Sequence, residues 1–300
     1  MVYNWFQTNF VPTVLAYTLS LIALLIGSIT DLKTREVPDW LNYGLIFSGL
    51  WLNLLFSVIY SNPSFMVNSI IGLSIFFGIA YIMFYMGQWG GGDSKMLMGT
   101  GAMIGIDVGF ITPQFLFWFF INALFIGAVY GLLWSIFLVF KNKKKFLKEF
   151  SKKLSEKSAV KGKWFMLIIL VLLLALFFFI ELNYFKILIL SLAFLTLTTF
   201  YLWIFVKSIE KSAMYRLVEP SKLTEGDWIV NDVYVGREYI TGPKELGISK
   251  NQIRKLIKFY KQKKVKKILI KEGIPFVPSF LVAFVITLVF GNSLMWFVSI

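Results

Sequence analysis

FMVNSIIGLSIFFGIAYIMFYMGQWGGGDSK, residues 65–95, decides how the chain is read. Residues 65–86 carry no charged side chain, and a helix over them is long enough to cross the hydrocarbon core of a bilayer. Gly87-Gln88-Trp89 and three consecutive glycines then interrupt the run, and Asp93 follows at once. A membrane block therefore ends in backbone free to leave helical geometry, with a carboxylate beside it.

Outward from that stretch the pattern repeats. Eight apolar blocks run over about 12–30, 40–60, 65–86, 94–111, 114–140, 164–181, 186–206 and 277–297. The fourth is the weakest, because Gly99, Gly101 and Gly105 dilute it. Its Gly101-Ala-Met-Ile-Gly105 has the small-xxx-small spacing that lets membrane helices approach closely. The 300 residues are 58% hydrophobic with a mean hydropathy of +0.74, above the usual apolar content of a soluble domain. The first ten residues hold no Lys or Arg, so no cleavable signal peptide is expected.

The net charge of +14 lies between the blocks. If the chain crosses at every block, 29 of the 30 basic residues fall on one side and only Lys186 on the other. The positive-inside rule makes that side cytoplasmic and puts both termini outside. The expected fold is thus an all-α polytopic membrane protein with about eight transmembrane helices. A catalytic core is expected over 1–140, a Lys-rich linker over 141–163 and two further helices over 164–206. A small α+β cytoplasmic domain over 207–276 and a last transmembrane segment over 277–300 complete it. Within the small domain, Trp228–Val230 and Val233–Val235 read as short strands, and Ser249 reads as the cap of a helix with Ile253, Leu256, Ile257 and Tyr260 on one face. The charge excess is read as membrane orientation, with no nucleic-acid partner. The 141–163 stretch is expected against anionic lipid headgroups.

Cysteine and histidine are both absent. That excludes disulfides, Cys/His zinc sites, haem held by His, and Ser-His or Cys-His nucleophile pairs. No metal or cofactor is expected. Acids near a membrane are costly and are functional candidates by default. Asp31 closes the first block and Asp93 opens the fourth, so two whole spans separate them and both reach the same face. Two carboxylates brought together share a proton, one serving as base and one as acid on a water between them. Taken alone, each Asp also reads as a residue that merely ends or caps a helix.

At these residues the chain resembles the type IV prepilin peptidases, and within them the archaeal preflagellin and prepilin peptidases. The resemblance rests on Asp31-Leu-Lys-Thr-Arg-Glu-Val-Pro38-Asp-Trp-Leu-Asn42, on Gly90-Gly91-Gly92-Asp93-Ser94-Lys95, and on Ile274-Pro275-Phe276 before the last block. It covers about 1–110 and the last helix and leaves 141–273 unexplained. It implies an aspartic endopeptidase with Asp31 and Asp93 as catalytic residues, and Gly90 and Gly92 as glycines that shape the site. The implied substrates are pilin-like or archaellin precursors, cut at their short basic leader at the cytoplasmic face of the cell membrane. Members that also methylate the new N-terminus carry a Cys-rich loop, so cleavage without methylation is expected.

Three charged residues near the pair have open roles. Lys95 either tunes the carboxylates or snorkels to the interface, the second being favoured. Glu36 and Asp39 either attract a basic leader or are simply solvated. Trp40, Trp51, Trp89 and Trp118 read as interfacial anchors. Other functions remain to be weighed. A presenilin-type protease would need its first Asp in the preceding span and a Pro-Ala-Leu segment, which is absent. A proton- or cation-coupled transporter would use Asp31 and Asp93 as ion sites, though no inverted repeat is visible. A passive scaffold would tolerate loss of both.

Overall fold

A computed structural model describes residues 2–107 and 115–291, with side chains from residue 10 onward. The chain forms two compact units, Met1–Leu132 with Gly273–Ile300, and Leu133–Glu272. The protein is an all-α polytopic membrane protein with a small sheet-bearing insertion. Among the described residues, six helices are long and apolar enough to cross a membrane. No more than 28% of any of these six spans is buried inside the fold, so most of their apolar surface faces outward. A water-soluble protein rarely exposes so much contiguous apolar surface.

In the first unit, α1 spans Val2–Thr34, α2 Asp39–Ile59, α3 Ser64–Tyr85, α4 Gly91–Ile104 and α10 Val277–Phe290, while α5, Phe115–Lys141, begins in it and ends in the second. The fourth block thus begins at Gly91, earlier than its apolar composition suggests. Helix α4 and the described part of α10 have 14 residues each. Positions 108–111 and 292–297 of the fourth and last blocks lie outside the described residues. So does position 114 of the fifth.

The short α4 is gripped by α2 and α3. A Cβ on Gly101 would meet the Gly72 carbonyl at 2.6 Å and the Phe76 side chain at 2.8 Å. The two backbones can approach only because both positions lack a side chain. The last carbonyls of α4 would otherwise be orphaned. Ser69 Oγ donates to the Ala102 carbonyl at 2.5 Å, and Asn53 Nδ2 lies 3.3 and 3.2 Å from the Ala102 and Met103 carbonyls. Leu24, Met96, Leu97, Phe119, Phe280 and Phe284 form the centre of this unit's core, all fully buried.

In the second unit, α6 spans Lys143–Ser155, α7 Lys157–Phe179 and α8 Asn183–Ile209. Helix α6 is amphipathic: Phe146 is buried and meets Phe205 of α8 edge-on at 5.6 Å, while Lys144, Lys145, Lys148 and Lys152 are exposed. A π turn, Glu210–Met214, ends α8 and runs directly into β1, Tyr215–Val218. The strands β2 (Trp228–Ile229) and β5 (Ile268–Lys271) join β1 in an antiparallel sheet of order β1-β5-β2. A separate hairpin pairs β3 (Val233–Val235) with β4 (Glu238–Thr241). Ser249 caps α9 (Lys250–Lys261): its N–H donates to Gln252 Oε1 at 2.8 Å, and its Oγ accepts the Gln252 N–H. Leu256, Ile268 and Ile270 anchor a second, separate core. Glu210 accepts from Lys207 (2.9 Å) and Lys271 (2.7 Å), tying the base of the sheet to the end of α8.

Candidate active site

Asp31 lies on the last turn of α1. The helix stops there because Arg35 takes a left-handed backbone (φ 63°) and its N–H donates to the Asp31 carbonyl at 2.9 Å. A non-glycine residue in that conformation is uncommon, and such residues tend to cluster at functional sites. Val37-Pro38 then sets the extended entry to α2, with Pro38 at φ −58°, ψ 136°.

Asp93 is placed by the glycines before it. Gly87 (φ 68°) closes α3, and Gly90 flanks the start of α4 in an extended conformation. From the third helical position the Asp93 carboxylate reaches back to accept the Gly90 N–H at 2.9 Å. A carboxylate there satisfies one of the helix's orphan donors and faces the positive end of its dipole. Gly92 has a different task. A Cβ there would lie 3.1 Å from the Val37 side chain, so this glycine lets α4 begin directly against the segment that follows Asp31. The Gly-x-Gly-Asp run is thus a helix start with one close approach built into it.

The two carboxylates come within direct electrostatic reach of each other. Asp31 is only 5% exposed, and Asp93 is half-buried. Asp31 has a partner from the far end of the chain: the Val277 N–H, in the first turn of α10, donates to its Oδ2 at 3.0 Å, and the Phe276 N–H acts on it as well. Phe276 is fixed by Trp89 and Phe280, at ring separations of 6.1 and 5.3 Å. Arg35 and, from α5, Tyr130 also lie within electrostatic reach of Asp31.

The remaining candidates sit around this pair. Lys95 pairs with Asp39, not with Asp31 or Asp93. Its Nζ is 2.6 Å from Asp39 Oδ1 and 4.9 Å from the centre of the Tyr43 ring, so it ties α4 to the first turn of α2. Glu36 lies in the link between α1 and α2, and its carbonyl accepts from Thr34 Oγ1 at 3.3 Å. Trp89 is a correction: it is 3% exposed, packed edge-on against Phe280 at 5.3 Å. The glycine turn folds it into the core, whereas Trp40 and Trp51 are exposed as expected. Asn42 is fully buried, and neither atom of its side-chain amide has a partner. Among the described residues no cluster of acidic side chains has the makings of a metal site.

Sequence reasoning missed the Val277 and Phe276 amides and Tyr130 as neighbours of Asp31. Backbone groups carry no residue-type signal. The one available pointer was Ile274-Pro275-Phe276, whose position before the last helix marks where those amides fall.

Helices of this kind, with a small sheet-bearing insertion, define a polytopic membrane protein, and Asp31 and Asp93 are its acidic pair within electrostatic reach of one another. Residues 18–132 match the type IV leader peptidase family. It is 36% identical over 149 residues to a preflagellin peptidase of Methanococcus voltae, covering 45% of this chain and 64% of that one. With a preflagellin peptidase of Methanocaldococcus jannaschii it shares 41% identity over 83 residues, 28% of this chain and 35% of the relative. With the prepilin peptidase EppA of Methanothermobacter thermautotrophicus it shares 26% over 102 residues, 34% and 26% of the two chains. The chain spans less than two thirds of the length of each of these relatives. No solved structure matches.

Proposed function

We propose that the protein is a membrane aspartic endopeptidase that removes the short basic leader from pilin-like or archaellin precursors, with Asp31 and Asp93 as its catalytic residues. The observation that carries this reading is that those two carboxylates, 62 positions apart in the sequence, lie within electrostatic reach of one another in the segment that matches leader peptidases. The ionised carboxylate takes a proton from a water as its oxygen attacks the scissile carbonyl carbon. The protonated carboxylate gives its proton to the carbonyl oxygen, forming a neutral gem-diol. Collapse breaks the C–N bond. The first carboxyl then protonates the leaving nitrogen, the second recovers its proton from a gem-diol hydroxyl, and the pair returns to its starting state.

The site is assigned to the cytoplasmic face, since that is the side on which 29 of 30 basic residues gather if every block crosses. The reaction is cleavage without N-methylation, in keeping with a link of only 35–38 between α1 and α2 and a chain without cysteine. The exposed lysines of α6 lie against anionic headgroups, at about 1 kcal/mol per Lys near the surface.

The test is to incubate the full chain, in detergent or vesicles, with a panel of precursors and follow leader removal by mass spectrometry. Cleavage is expected for wild type, in the presence of chelator too. Its disappearance is expected in D31N and D93N variants that keep their helical content. Undiminished cutting by either variant would end the assignment.

A further inference from the structure

The two carboxylates do not have equal surroundings. Asp93 accepts one backbone N–H, from Gly90 of its own helix start. Asp31 accepts the Val277 N–H across 246 positions of sequence, with the Phe276 amide beside it. These donors are at the N-terminus of α10, whose first N–H groups have no intrahelical acceptor and whose dipole favours negative charge. Pro278 has no N–H at all, and the Ser279 N–H is taken by the Phe276 carbonyl at 2.9 Å. Val277 is therefore the free donor of that turn, and it is spent on Asp31. Its position is fixed: Val277 is fully buried, and a Cβ on Gly27 of α1 would lie 3.3 Å from its side chain. The charged and titratable groups acting on Asp31 are Arg35 at the end of its own helix, Asp93 on α4 and Tyr130 on α5.

We propose that the first turn of α10 is a working part of the active site: the Val277 amide holds Asp31 as the charged member of the pair, the base that takes the proton from water, and leaves the shared proton on Asp93. Hydrogen bonds to a carboxylate favour its ionised form, and a second carboxylate nearby then keeps the proton. This rests on the peptidase reading and adds to it a division of labour and a positioning residue. A purely structural alternative exists, in which Asp31 does no more than cap α10 from another helix.

The test replaces Val277 with its α-hydroxy acid, which turns the donating N–H into an ester oxygen and leaves the side chain unchanged. The acid limb of the kcat pH profile is expected to move up by about one pH unit, with kcat at neutral pH down by about tenfold and KM within about twofold. V277A keeps the amide, so the pH of its acid limb should stay within about 0.3 units of wild type, whatever happens to its kcat and thermal stability. An ester variant that is less stable but has an unshifted profile would leave Asp31 as a cap only and overturn the proposal. If the ester variant does not fold, infrared titration of the carboxyl C=O band decides the matter on the native backbone. Asp31 alone in D93N is expected to titrate below Asp93 alone in D31N, and the reverse order overturns the proposal. Loss of the peptidase reading looks different: wild type would cut nothing, or either Asp variant would still cut.

Discussion

The two units solve the problem of packing apolar helices in opposite ways. In the unit that carries Asp31 and Asp93, helices touch through small residues: Gly72 against Gly101, Gly49 against the Ala102–Met103 backbone, Gly92 against Val37. In the other, α7 and α8 are built from Leu, Ile and Phe, and only 6% of the α7 span is buried. Leu172, Leu174, Phe178 and Phe179 all face outward. Close backbone approach brings van der Waals contact and fixed geometry, and membrane helices have no hydrophobic drive toward one another to replace it. The contrast teaches that glycine marks helices whose relative position must be held to a fraction of an ångström, while bulky residues suffice where a segment need only span.

The largest effect expected is at the pair itself. Asp31→Ala or Asp93→Ala should lower leader cleavage by at least about 10³-fold, as loss of a general acid or base does, with the protein still folded by circular dichroism. Next is the glycine seam. Gly101→Val would place a branched side chain against the Gly72 carbonyl and Phe76, costing about 1–3 kcal/mol by thermal unfolding in detergent and most of the activity with it. Gly78→Ala, on the α3 side that meets nothing within 4 Å, should leave both intact. Equal tolerance of the two changes would erase the contrast. In the second unit, Leu256→Ala should cost about 2–5 kcal/mol of the insertion's own stability, read by hydrogen exchange of the sheet. Cleavage should persist, and its loss would show the two units to be functionally inseparable. Trimming an outward residue such as Leu172 to Ala should change stability by less than about 0.5 kcal/mol.

The smallest effect sharpens the comparison inside the first unit. Lys95 and Asp39 are partly exposed, so their ion pair is worth only about 0.2–1 kcal/mol. Lys95→Ala should slow cleavage no more than severalfold, and the charge-swapped double variant should recover most of it. A loss as large as that of the Asp variants would put Lys95 in the chemistry.

Much of this was legible in the sequence because membrane helices declare themselves by length and composition. The blocks, the strands near 228–235 and the Ser249 cap all rest on local patterns of residue type, and local patterns survive folding. Asp31 and Asp93 stood out because acids are rare beside apolar runs. What stayed hidden depends on long-range placement. The short α4 was diluted by the very glycines that let it pack. Lys95 had several possible acceptors, and the one it takes, Asp39, lies 56 positions away. Trp89 looked like an interfacial residue because nothing local says that a glycine turn will fold it inward. Asn42 had no local feature to suggest that its amide would be buried without a partner.

One feature of the insertion has a use in engineering. The strands β1 and β5 lie side by side, with Tyr215 opposite Lys271 and Val218 opposite Ile268. The chain therefore enters and leaves the sheet at adjacent points, and the 49 residues from 219 to 267 form a closed excursion. The entropy of closing such a loop varies only slowly with its length. Because that stretch holds β2 and α9 with Leu256, the exchangeable unit is the whole segment 215–271, whose ends are paired neighbours, and a foreign domain with equally close termini makes it a natural socket for a reporter.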